Sequence, residues 1–196
     1  MKLDITLFAG LFHYDYYDYF YKESYGIDLN YGNSWLAIKA GYYAQSIPTF
    51  GTERRGAPVI AYNRIDRQII YERSPVIEPD AVVIADPHLL ANPKPLIAGL
   101  KTGGYLIVNT VKSVSEVRDL VKRDDIKIGV INATKLAMDT LKAPIVNTAM
   151  VGALLAVTKV VSLEYALDAV KDILPARLVE PNVQLIKQAY ELVKVG

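Results

Sequence analysis

Three nearly unbroken apolar runs, Ala81–Ala85, Tyr105–Val108 and Ile126–Ile131, constrain this chain more than any other feature. A strand with one wet face alternates apolar and polar residues. A run without that alternation is expected to be buried on both faces, as in a parallel sheet covered by helices. The segments between and after these runs carry helix signals. Ser113 with Glu116 three residues on reads as a capping box opening a helix to about Lys122. Asn132 caps a helix through Leu141, and 147–159 is apolar nearly all round and so reads as a buried helix. Ser162 opens a helix to about Leu174, and Pro181 suits the first position of a last helix ending near Val193. Strand and helix thus alternate through the second half, which predicts an α/β chain with a parallel sheet.

The first half is less regular. Leu3–Ala9 reads as a first strand ending at Gly10. Residues 11–34 hold seven tyrosines (Tyr14, Tyr16, Tyr17, Tyr19, Tyr21, Tyr25 and Tyr31) and no alanine. Tyr14, Tyr17, Tyr21 and Tyr25 fall at helical spacing. Packing and a subunit interface both use tyrosine in this way. Trp35–Ala40 reads as a short helix that Gly41 ends. Ala57–Ile65 and Gln68–Glu72 read as two strands joined by Ile65–Gln68, an antiparallel hairpin added to the parallel sheet.

Bulk composition excludes several classes of partner. The 196 residues carry 22 basic and 21 acidic side chains, so no overall field draws the chain to nucleic acid. With no cysteine, the chain has no disulfide and no cysteine-ligated iron–sulfur cluster of its own. No segment is long and apolar enough to cross a membrane, and the N-terminus lacks the pattern of a signal peptide, so a cytoplasmic protein is expected. His13 and His88 are the only histidines, and neither has partners at metal-ligand spacing. No catalytic nucleophile arrangement and no metal site are assigned.

Three places carry recognition chemistry. Phe50–Val59 sets Glu53, Arg54 and Arg55 between Gly51 and Gly56, a tight charged turn at the mouth of a sheet. Guanidinium forks there can hold carboxylates or phosphates, or can simply pair with Glu53. Asn147 and Thr148 begin the buried helix, where they serve either as a cap or, with the free N–H groups, as an anion site. Asn109 and Thr110 end one predicted strand and Asp86 and Pro87 another, and ligands of open parallel sheets bind beyond such ends. Asp86 reads chiefly as a loop-orienting residue.

The charged turn, together with Pro144–Ala153, with Ala81–Asp86 and with Gly103–Thr110 downstream, resembles the gamma subunit, or gamma domain, of pyruvate and other 2-oxoacid:ferredoxin oxidoreductases. The order and spacing fit from about Trp35 to the end. The resemblance implies a single Rossmann-like domain over 1–196 with a mainly parallel sheet, helices on both faces and the added hairpin, in which 11–34 is atypical. It implies a non-catalytic subunit of an enzyme that converts a 2-oxoacid and coenzyme A to acyl-coenzyme A, carbon dioxide and reduced ferredoxin. Alpha, beta and delta-type subunits would be its partners, carrying thiamine diphosphate, magnesium and iron–sulfur clusters, and ferredoxin would accept the electrons of the complex. Coenzyme A would lie in a shared cleft, with Glu53, Arg54, Arg55, Gly56, Asn109, Asn147 and Thr148 as coenzyme-side or interface residues. Resembling proteins follow the first strand with a G-R-G-G-Q-G loop; this chain has Gly10 alone, then Leu11–Asp15. That departure supports a second reading, an assembly subunit that has lost coenzyme binding.

Overall fold

A computed structural model of the chain describes residues 2–9, 38–49 and 59–196. Among these, all the strands join one seven-stranded sheet in the order β2-β3-β1-β4-β5-β6-β7. Here β1 is Leu3–Ala9, β2 Tyr43–Thr49, β3 Val59–Asp66, β4 Ala81–Ile84, β5 Tyr105–Asn109, β6 Lys127–Ile131 and β7 Lys194–Val195. Strands β1, β4, β5 and β6 pair in parallel; β2 and β3 extend one side antiparallel, and β7 closes the other.

The apolar runs behave as their composition demands. Every residue of β4 is buried, because alternate side chains enter two different cores. Val82, Ile84, Leu106, Val108, Ile128 and Val130 face a core closed by a 3-10 turn (Pro87–Ala91), α1 (Lys94–Ile97) and α2 (Val114–Val121). Ala81, Val83, Ile107 and Ile131 face the other, built with α3 (Ala133–Leu141), α4 (Asn147–Thr158) and α6 (Ala176–Leu192). Helix α5 (Leu163–Ile173) packs on α6 through Val170 and Ile186. The expected α/β architecture with helices on both faces is therefore present.

The Ser113 capping box forms as read: Ser113 Oγ accepts from Glu116 N, and Glu116 Oε2 accepts from Ser113 N at 2.8 Å. Asn132 caps α3 through Lys135 N. Gly41 ends a helical turn at φ 78°, its N–H reaching Ile38 O at 3.0 Å. Half of the Trp35–Ala40 helix and all of the tyrosine-rich segment lie outside the described residues.

Two expectations are corrected. The Ala57–Ile65 strand does not form a hairpin with Gln68–Glu72. Its two edges are already taken by β1 and β2, and Asp66 Oδ1 accepts from the N–H groups of Arg67 and Gln68, turning the chain away. The antiparallel addition is instead β2–β3. Pro181 does not begin the last helix; it lies inside α6, which starts after Pro175. An interior proline costs about 3 kcal/mol, and α6 bears this because Val183, Leu185, Ile186 and Ala189 on it are buried. Asn182 helps by donating from Nδ2 to Leu178 O, a carbonyl in the turn the proline distorts.

Candidate functional site

The register gathers the candidate segments at one edge of the sheet. Strands β1, β4, β5 and β6 all point their carboxyl ends the same way. Strand β3 enters at that edge, with Val59 opposite Ala9, and β2 leaves there, with Thr49 opposite Ile60. The strand ends that bracket residues 50–58 therefore stand beside the end of β1. Strands β2 and β3 lie to one side of β1, whereas β4, β5 and β6 follow in order on the other. The chain thus changes winding direction between β1 and β4, the place where open α/β sheets form their ligand crevice.

Asn109 closes β5 at this edge, and its carboxamide is fully engaged. Nδ2 donates to Ala85 O at 2.8 Å and to Thr134 Oγ1 at 2.9 Å, while Oδ1 accepts from Thr134 N at 3.2 Å. The residue is buried and ties the end of β4 to the first turn of α3. Thr110 N donates to Ile131 O, and Thr110 Oγ1 accepts from Lys112 N. Val111, Lys112 and Ser113 then stand exposed on the rim.

Asp86 follows β4. Its carboxylate accepts from His88 N at 2.8 Å and meets His88 Nδ1 at 2.7 Å, leaving the imidazole outward and exposed. The loop-orienting role read for Asp86 is visible in these contacts.

The start of α4 is organised differently from the sequence reading. Val146 occupies the N-cap position and no side chain caps the helix, so Asn147 is its first residue rather than its cap. Asn147 is half-buried. Thr148 is buried and donates from Oγ1 to Asn182 Oδ1 at 2.8 Å, binding α4 to α6. Glu53, Arg54, Arg55 and Gly56 lie outside the described residues. Of the named candidates, Asn109 and Thr148 are thus spent on internal bonds. Among the described residues, exposed hydrogen-bonding side chains on the rim include His88, Lys112 and Ser113.

Two polar features were not singled out from sequence. Arg64 is buried, with 3% of its side chain exposed, and its Nη1 donates to Ser74 O at 2.7 Å. Its Nη2 donates to Glu72 Oε1 and Pro75 O, both at 3.3 Å, and its Nε stands 3.6 Å from Asp4 Oδ1. Asn63 is buried with neither carboxamide atom hydrogen-bonded, in register with Ser46, whose Oγ is also unpaired. Which polar residues of Tyr62–Asp66 point inward depends on partner strands that the sequence does not name.

Comparison with known proteins agrees with this geometry. A family model described as pyruvate ferredoxin/flavodoxin oxidoreductase matches residues 33–192. The pyruvate/ketoisovalerate oxidoreductases common subunit gamma of Pyrococcus furiosus is 42% identical over 159 residues, 81% of this chain and 85% of that protein. The crystal structure of pyruvate oxidoreductase subunit PORC from Thermotoga maritima superposes with a TM-score of 0.80 at 31% identity, covering 100% of this chain and 98% of that one. The 2-oxoglutarate:ferredoxin oxidoreductase of Magnetococcus marinus, solved with 2-oxoglutarate, coenzyme A and succinyl-CoA bound, shares the fold at 13% identity and a TM-score of 0.69, covering 97% of this chain and 31% of that one.

Proposed function

The chain belongs to the pyruvate ferredoxin/flavodoxin oxidoreductase family as a gamma subunit, and from that premise we propose that its carboxyl rim forms one wall of a coenzyme A cleft shared with partner subunits. The observation that carries the reading is the register: the strand ends flanking the Glu53-Arg54-Arg55-Gly56 turn stand beside the end of β1, next to the β1–β4 switch point. A coenzyme with phosphates and a long neutral arm suits such a rim, since guanidinium groups and exposed backbone N–H groups bind phosphate. Lys112 adds a cation on the described rim. Asn109 and Thr148 support the cleft from behind, by fixing the loop after β4 and the seat of α4.

In this reading the chain acts as a single domain, consistent with one sheet uniting its described strands. The complex performs coenzyme A-dependent oxidative decarboxylation of a 2-oxoacid, pyruvate first among the candidates. It yields acyl-coenzyme A, carbon dioxide and reduced ferredoxin. Alpha, beta and delta-type partners carry the thiamine diphosphate, magnesium and iron–sulfur clusters. No described helix is long and apolar enough to cross a membrane, which is consistent with a cytoplasmic assembly.

The test uses the assembled enzyme with Arg54→Ala and Arg55→Ala. The expected result is a rise of about tenfold in the coenzyme A concentration needed for half-maximal turnover, the size of one lost charge-assisted contact. If both variants keep the wild-type coenzyme A requirement and assemble normally, the turn is a structural salt bridge and the cleft reading fails. Direct binding of coenzyme A to the intact complex that is unchanged by mutation at Asn147 would support the assembly-subunit alternative instead.

A further inference from the structure

Among the described residues the one imidazole is that of His88, and it stands at the carboxyl rim, just past the end of β4. The ring is held rather than loose. Asp86 Oδ1 accepts from His88 N at 2.8 Å and meets His88 Nδ1 at 2.7 Å. The carboxylate is itself fixed from both sides. Asn109 Nδ2 clamps the carbonyl of Ala85 before it, and Leu90 beyond it is buried in the core under the 3-10 turn. The Asp86 side chain is 15% exposed and that of His88 87%, so the pair presents a ring to the rim over a mostly covered acid.

Chemistry fixes which nitrogen is free. An ionised carboxylate only accepts hydrogen bonds, so Nδ1 carries the proton that faces Asp86. The lone pair of the neutral ring is then on Nε2, the nitrogen left clear of Asp86. A nitrogen of that kind takes an acidic hydrogen; it offers no donor to a phosphate. The carboxylate behind it orients the ring and stabilises the imidazolium that forms. A carboxylate that only capped the 3-10 turn would need the His88 N–H and no contact with the ring.

Ile84 of β4 is level with Phe8 of β1, and Phe8 with Ile60 of β3. With neighbouring strands about 4.8 Å apart, the end of β4 is about 10 Å from the strand end that flanks the arginine turn. A coenzyme whose phosphates meet that turn has its long arm free to run across the switch point toward His88. We infer that His88 Nε2 is the base that takes the proton of the coenzyme A thiol, with Asp86 as its positioning residue. The thiolate, not the thiol, is the nucleophile. The S–H bond breaks, the proton moves to Nε2 and the electron pair stays on sulfur, which forms the C–S bond of the acyl-coenzyme A. The two electrons of the oxidation leave to ferredoxin, and the exposed imidazolium returns its proton to water. Imidazole serves in this way near neutral pH without burial. The charged groups around it on the described rim are Asp86, in contact, Lys94 in α1 and Lys112 after β5. The inference deepens the coenzyme A cleft and rests on it.

The experiment is single-turnover formation of acyl-coenzyme A by the assembled enzyme carrying His88→Asn or His88→Ala, followed across pH. Asparagine keeps a donor for Asp86, so the turn is preserved. The expected rate at saturating coenzyme A falls about a hundredfold in both, the lower end of what a positioned base contributes, with the half-saturating concentration unchanged. The wild-type rate should decline toward acid as the base is protonated, and that decline should vanish in the variants. Added imidazole should restore part of the His88→Ala rate, because the ring's place is open to solvent. A loss smaller than about tenfold overturns the inference. So does a larger loss in which the acid decline persists and imidazole restores nothing, which would make His88 structural. A raised coenzyme A requirement at full rate overturns it too, by making His88 a binding contact. Failure of the cleft reading looks different: Arg54→Ala and Arg55→Ala would then leave the coenzyme A requirement unchanged, whatever the His88 variants do.

Discussion

Asn109→Ala is the sharpest test of whether the rim's buried amide supports structure or faces ligand. The substitution removes Nδ2 from Ala85 O and Thr134 Oγ1, and Oδ1 from Thr134 N. Ala85 is buried, so its carbonyl is left without a partner in a place water does not reach. Thr134 is half-buried, so water recovers part of what its N–H loses, and its hydroxyl can rotate to a new acceptor. An orphaned buried group costs ~1–3 kcal/mol. One full and one partial orphan therefore amount to about 3 kcal/mol. For a domain of this size, ~1 kcal/mol moves Tm by roughly 2–4 °C, so thermal unfolding by circular dichroism should drop by about 9 °C. Asn109→Asp keeps an acceptor for Thr134 N but offers Ala85 O no donor when ionised, and should be at least as damaging. A loss below about 1 kcal/mol in both variants, joined to a raised coenzyme A requirement, would show that the carboxamide is free to serve a ligand and refute the structural assignment.

Two further predictions follow from single contacts. A Cβ at Gly152 would lie 2.4 Å from Ile186 O and 3.1 Å from Ala189 Cβ; Gly152→Ala should force α4 and α6 apart and cost about 3 kcal/mol, read as a lower urea midpoint, and an unchanged midpoint would show that the two helices do not pack as described. The hydrogen bonds from Arg123 hold the Asp125 carboxyl down at about 2, below the ~3.9 of an unfolded aspartate. Its contribution is therefore fully present above pH ~4 and lost as pH falls through about 2, so Asp125→Asn should flatten the acid side of the stability curve in that window, and an identical slope in both proteins would count against the pair.

Much of the second half was legible because its signals are local and agree with one another. The Ser113–Glu116 box, the Asn132 cap and the run Ala81–Ile84 each state their own structure within a few residues. The failures came where a distant partner decides. Gln68–Glu72 has strand-like composition, but the edge of β3 it would need is occupied by β2, whose segment Tyr43–Thr49 contains Pro48 and gave no strand signal. Pro181 resembles a helix start when viewed alone; burial along the following turns overrides it. Strand β7 is two residues long and exists only because β6 has a free edge. The site was legible by kind more than by role. Asn109 and Thr148 were found as polar residues at element ends, but whether such groups face a ligand or a neighbouring helix is fixed by packing that no local pattern encodes.

The shifted titrating groups sharpen the division of labour. Glu116 is lowered by the Ser113 backbone N–H and then by its hydroxyl, Glu72 by Ser74 and then Arg64, Asp168 by Lys171, and Asp125 by Arg123. Each of these carboxylates is solvated, and each is explained by a cap, a loop brace or a surface ion pair. A residue poised for proton transfer has a different signature, with burial or a like charge pushing its pKa toward the working pH. The polar investment of the described chain goes into holding shape: Asn109 behind the rim, Asn182 between helices, Arg64 under the exposed loop. Substitutions at Arg54 or Arg55 should therefore read out in the coenzyme A requirement of the assembled enzyme, whereas substitutions at Asn109 or Asn182 should read out in the stability of the chain.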